Sequence, residues 1–156
     1  SAYSHFRANH PAVVDRIAAA DLVCVPTTVL GELEAAFRMG RLASDNRGKL
    51  DSFLQEDFVS VVSVTPDVAR RYGEIFVALR HAGTPIPVND IWIAAATIDA
   101  GAHLLTFDTD FDRIPSPRTH GVSLDQISAR SARDSRRERE GMKAFVEKRT
   151  ATFSGK

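Results

Sequence analysis

The chain has 156 residues, with 20 Lys and Arg balancing 20 Asp and Glu, enough for one domain with a sizeable core and too few for two ordinary ones. Hydrophobic residues make up 44% and charged residues 26%, which excludes a fibrous or disordered polymer, and no apolar run approaches the ~20 residues needed to cross a bilayer. Residues 1–7 lack the apolar stretch of a signal peptide, and the single cysteine, Cys24, cannot form an internal disulfide, so the expected compartment is the reducing cytoplasm.

Residues 11–20 predict a helix, with Val13, Val14, Ile17 and Ala18 at helical spacing, Asn9 as its cap and Pro11 in its first turn. Residues 22–25 predict a buried strand ended by Pro26, in which Cys24 is a small core residue. Thr27 or Thr28 opens a helix through Met39, with Val29, Leu30, Leu33, Ala36 and Phe37 on one face and Gly40 as its stop. Another helix is expected over residues 44–55, and the β-branched residues 58–64 predict a strand. Thr65, Pro66 and Asp67 then start a helix that runs to His81.

After the turn-rich residues 85–89, the stretch 91–98 is apolar nearly all round, so its helix belongs in the centre of the domain. Gly101 ends it, residues 102–107 predict a further strand, and 108–112 an acidic loop. Strands alternating with helices imply a mostly parallel sheet covered on both faces, an α/β fold.

The composition changes near residue 125. From residue 119 onward nine Lys and Arg face five Asp and Glu, against eleven and fifteen in the first 118. Residues 128–141 contain no large apolar side chain and cannot bury a helix face, while Met142, Phe145 and Val146 form one short apolar stripe. Residues 125–156 thus form a basic tail on an acidic body. The tail is expected either as an arm against an acidic domain, its own or a neighbour's, with an arginine near the acids, or as a solvated helix. An acidic body does not suit a protein that grips nucleic acid by charge alone. It suits acids gathered around a cation.

In open α/β sheets ligands bind beyond the carboxyl ends of the strands. Glu32, Asp90, Asp108 and Asp110 all fall there in this reading. Converging carboxylates repel one another unless a divalent cation neutralises them, and oxygen-only ligands suit Mg²⁺ or Mn²⁺. Each acid also has a plain structural reading. Asp90 is ordinary at a helix N-terminus, and Asp108 and Asp110 are turn formers. A capping box explains Glu32 poorly, because Leu30 and Gly31 stand where it would need the acid. Asp108, Asp110 and Asp112 share the opening spacing of an EF-hand loop, but Arg113 and Thr119 replace its essential Gly and Glu. There is no serine nucleophile elbow or phosphate-binding glycine loop. His5, His10, His81, His103 and His120 have no ligand spacing.

Three stretches together carry a resemblance: Val25-Pro26-Thr27-Thr28-Val29-Leu30-Gly31-Glu32-Leu33, Pro87-Val88-Asn89-Asp90-Ile91-Trp92-Ile93-Ala94-Ala95, and Leu104-Leu105-Thr106-Phe107-Asp108-Thr109-Asp110-Phe111. In this order and spacing the chain resembles the PIN-domain family, and within it the VapC-type toxins. The similarity covers roughly residues 1–118 and makes 1–124 the expected PIN-like catalytic domain. It implies a three-layer α/β/α fold and an Mg²⁺- or Mn²⁺-dependent endoribonuclease, a hydrolase leaving a 5′-phosphate and a 3′-hydroxyl. It further implies a VapB-type antitoxin partner and a homodimer.

Glu32, Asp90 and Asp108 match the family's second, third and fourth acidic positions, Asp110 an auxiliary acid, and Thr106 a hydroxyl residue near the site. The family's first acid belongs to an Asp-Thr pair that ends an opening strand; Ser1-Ala2-Tyr3 matches the residues directly after it. Arg7, Arg38, Arg41, Arg70, Arg71 and Arg80 are candidate phosphate contacts. That first acid has no counterpart within the given residues, which favours a second reading, a catalytically impaired PIN-like protein-interaction module, whereas the retention of Glu32, Asp90 and Asp108 disfavours it. A third, a phosphatase using Asp108 and Asp110, suffers because such a pair normally follows the first strand.

Overall fold

The computed structural model describes residues 2–114. In chain order these form helices α1 (Ala2–Arg7) and α2 (Pro11–Ala18), strand β1 (Val23–Pro26), helices α3 (Thr27–Met39) and α4 (Ala43–Leu54), strand β2 (Val59–Val62), helices α5 (Pro66–His81) and α6 (Val88–Asp99), and a 3₁₀ turn over Thr109–Arg113. The strands pair in parallel, Val23 opposite Val59 and Pro26 opposite Val62. The expected basic tail and its contacts lie outside the described residues.

Two apolar cores flank the sheet, one on each face. On one side, Val23, Val25 and Val59 meet Phe6, Val13, Ile17, Leu33, Phe37, Leu50 and Phe53 from α1 to α4. On the other, Val62 meets Val68, Ile75 and Leu79 of α5 and Ile91, Ile93 and Ala94 of α6. The division follows from the two-residue period of a strand, which sends alternate side chains to opposite faces. The fold is therefore the three-layer α/β arrangement with a parallel sheet. The all-apolar reading of α6 holds: Ala94 and Ala95 are wholly buried, and small side chains let α5 pack closely.

Residues 102–107 depart from expectation. Leu104 packs into the α5–α6 core and its neighbour Leu105 into the α1–α4 core, so the segment is extended and alternates as a strand does. It nevertheless joins no ladder, because the sheet of the described residues contains only β1 and β2. A cleft of about 1550 Å³ separates it from β1, lined by Cys24 and Val25 on one side and Leu104 and Leu105 on the other. Alternation is dictated by the sequence; a ladder needs a neighbour at bonding distance. The same cleft leaves Cys24 only half-buried, where full burial was expected.

The chain's start also differs from expectation, since α1 was not anticipated. Asn9 does not cap α2, whose N-cap is His10 with no side-chain cap bond. Asn9 instead takes the left-handed conformation (φ 55°) and closes α1. The His10 amide donates to the His5 carbonyl at 2.9 Å and the Asn9 amide to the Phe6 carbonyl at 3.0 Å, the paired bonds of a Schellman end. Gly101 (φ 61°) does the same for α6, with Ala102 N–H bonded to the Thr97 carbonyl at 3.1 Å. That turn aims residues 102–107 back along the sheet towards Asp108. No helix among the described residues is long and apolar enough to cross a membrane.

Candidate functional site

Asp90 lies in the first turn of α6. Helix α6 begins at Val88, earlier than its apolar run suggests, because Pro87 fixes an extended backbone just before it and serves as its N-cap. No side chain caps this end, so the Asp90 carboxylate is not spent on the helix's own amides. Asp108 caps the 3₁₀ turn, accepting a hydrogen bond from the Asp110 amide at 2.9 Å. Its own amide donates to the Thr106 hydroxyl at 3.0 Å. These two local bonds fold the acidic loop so that both of its first carboxylates face α6.

Asp90, Asp108 and Asp110 each offer an oxygen, and these oxygens lie within 4.8 Å of one another. Like charges this close disfavour ionisation. Burial, followed by repulsion from Asp108, Glu32 and Asp110, pushes the Asp90 carboxyl above the usual carboxylate range. The dipole at the start of α6 acts in the opposite sense and is outweighed. Glu32, in the second turn of α3, stands outside the tight trio but close enough to raise Asp90. Its carboxylate accepts a hydrogen bond from the Asn89 side-chain amide at 2.9 Å.

The four acids singled out in the sequence therefore occupy one neighbourhood, three as a tight cluster and Glu32 beside it. Thr106 is there too. Four of the candidate arginines are engaged elsewhere: Arg38 with Glu34 at 3.6 Å, Arg70 with Asp67 at 2.9 Å and Arg71 with Asp99 at 3.0 Å, while Arg80 lies over the Phe76 ring. Two residues at the site escaped the sequence reading. Asn89 holds Glu32, and Arg113 pairs with Asp110 at 3.1 Å. The three-residue spacing of Asp110 and Arg113 signalled the second; nothing local signalled the first. Among the described residues, no histidine belongs to the cluster.

The donor set fits a hard divalent cation. It offers three carboxylates and no nitrogen or sulfur, and their mutual repulsion would be relieved by positive charge.

The sequence matches the family model described as PIN domain over residues 2–117. A comparison with curated proteins finds no match. Among solved structures, the chain is similar to VapBC2 of Rickettsia felis bound to a DNA fragment from its promoter, with 27% identity, a TM-score of 0.62, and coverage of 72% of this chain and 86% of that one. It is likewise similar in fold to DNA-bound VapBC of Salmonella typhimurium, at 22% identity and a TM-score of 0.65 over 74% and 87% of the two chains. VapBC-1 of nontypeable Haemophilus influenzae gives 21%, 0.63, 71% and 85% for the same quantities.

Proposed function

The chain belongs to the PIN-domain family, and we propose that it is a metal-dependent endoribonuclease acting as the toxin of a VapBC-type pair. The observation that carries this reading is the convergence of the Asp90, Asp108 and Asp110 oxygens within 4.8 Å. Asp90, Asp108 and Asp110, with Glu32 alongside, are the residues proposed to hold Mg²⁺ or Mn²⁺. When bound, such an ion supplies water activation near neutral pH and neutralises charge that develops on a phosphodiester.

The chain's own residues set up that chemistry. Asp108 is held by the Thr106 hydroxyl and in turn orders Asp110, so the loop carboxylates are positioned before any ligand arrives. Asp90 is fixed by a rigid, buried helix, which is the kind of element that holds a site to the tolerance catalysis needs. Asn89 steers Glu32 towards the same space. With Asp90 reluctant to ionise alone, the cluster favours a cation over an unpartnered state.

The VapBC likeness supports a VapB-type antitoxin as partner; a homodimer and a cytoplasmic setting are part of the proposal, the latter in keeping with the single free Cys24. Incubating the full chain with end-labelled single-stranded RNA tests the reading. Internal cleavage is expected with Mn²⁺ or Mg²⁺, leaving 5′-phosphate ends, and none with a chelator. Cleavage that persists in the chelator, or products carrying 2′,3′-cyclic phosphates, would overturn it.

A further inference from the structure

Phe107 directly precedes Asp108, and its side chain is 52% exposed. A single exposed phenylalanine is unremarkable on a protein surface. This one stands in a group. The His5 ring packs against it at 4.6 Å between centroids, tilted by 50°. The His10 ring meets it at 5.4 Å and 65°, and the two imidazoles contact each other edge to face at 5.6 Å. The Schellman end of α1 is what brings the two histidines together, through the bond from the His10 amide to the His5 carbonyl.

We infer that Phe107, framed by His5 and His10, is the stacking platform for a base of the RNA strand whose backbone lies at the carboxylate cluster. This rests on the ribonuclease reading above and adds to it the means by which the strand is gripped. Position is the first support. Phe107 and Asp108 are consecutive, about 3.8 Å apart at their Cα atoms. His5 and Phe107 line the same cleft as Glu32, Asp90 and Asp108.

Charge is the second support. The first 118 residues carry fifteen acids and eleven Lys and Arg, and Arg70 and Arg71 are already paired with Asp67 and Asp99. Binding of a polyanion to such a body cannot rest on electrostatics alone. Stacking on an aromatic face supplies affinity without net charge, and it tolerates any base because every base has a π-face. The imidazole edges add hydrogen-bonding groups for a base edge or phosphate. Unpaired strands alone can present a base in this way, so the platform selects single-stranded RNA over duplex.

The experiment measures binding of a fluorescent decaribonucleotide by polarisation, using the full chain with Ca²⁺ as the divalent ion, together with a series in which one abasic nucleotide is moved along the strand. Phe107→Ala is expected to weaken binding roughly tenfold, and Phe107→Trp to keep or tighten it. One abasic position is expected to weaken the wild-type complex to a similar degree and to have little further effect on Phe107→Ala. Mn²⁺ titration of Phe107→Ala is expected to match the wild type.

Three results would overturn the platform while leaving the ribonuclease reading in place: Phe107→Ala binding RNA as the wild type does, the abasic position costing both proteins equally, or Phe107→Ala losing Mn²⁺ as well, which would make the ring a prop for the acidic loop. Failure of the wild-type protein itself to bind any RNA would remove both.

Discussion

Asn89 donates its side-chain amide to the Glu32 carboxylate at 2.9 Å, joining the first turn of α6 to the second turn of α3 across 57 residues of chain. The bond does two things. It brings Glu32 into the field of Asp90, and it supplies a neutral hydrogen-bond donor beside the acids. Replacing Asn89 with Ala should therefore loosen Glu32 and weaken Mn²⁺ binding by about tenfold, the low end of the range expected for an orienting partner of a ligand. Calorimetric titration checks this.

Removing charge at Asp90 should have the opposite effect on the metal-free fold. Its carboxyl sits above the ordinary range because of burial and then of Asp108, Glu32 and Asp110. A raised carboxylate pKa means that ionisation costs the folded state stability. The cost is absent below the unfolded value, about 3.9, and complete above the folded one. Asp90→Asn in a chelator should thus unfold at a slightly higher temperature than wild type at pH 7, the gain being small because solvent screens a partly exposed group. The difference should shrink as pH falls through the carboxylate range. Thermal unfolding at several pH values measures it, and excess Mn²⁺ should reverse the order by stabilising only the wild type.

Arg113 occupies Asp110 with a contact of 3.1 Å. Its guanidinium competes with any cation for that carboxylate. Arg113→Gln should bind Mn²⁺ about twofold to fivefold more tightly, the modest gain expected when a half-exposed ion pair is removed. The same calorimetric titration reads the change.

The architecture predicts one large loss of stability. Leu79 is 1% exposed and lies in the core shared by α5 and α6. Leu79→Ala should cost about 2–5 kcal/mol in denaturant unfolding through lost burial and the cavity left behind. Because α6 carries Asp90, cleavage activity should fall at temperatures where the variant is still largely folded.

The sequence carried the helices α3, α5 and α6 because each has a long apolar period and a punctuating residue: Gly40 after α3, Thr65 and Pro66 before α5, Gly101 after α6. Glu32, Asp90, Asp108 and Asp110 were legible as a group because each follows a strand or extended segment at the same edge of the sheet. Other features depended on the folded chain. The six residues of α1 are too short to display a period. Residues 102–107 alternate as a strand should, yet a ladder depends on what lies beside them. The Asn89–Glu32 bond and the grouping of His5 and His10 around Phe107 join residues far apart in sequence, where spacing says nothing.

The central claim is that the three aspartates form a divalent-cation site, and Mn²⁺ titration of the full chain by calorimetry tests it most directly. The account predicts saturable heat for the wild type that weakens as pH is lowered, since protons compete for the same oxygens, and at least a hundredfold weaker binding in Asp90→Asn and in Asp108→Asn. Equal Mn²⁺ affinity in the wild type and both variants, or no binding by the wild type, would contradict it.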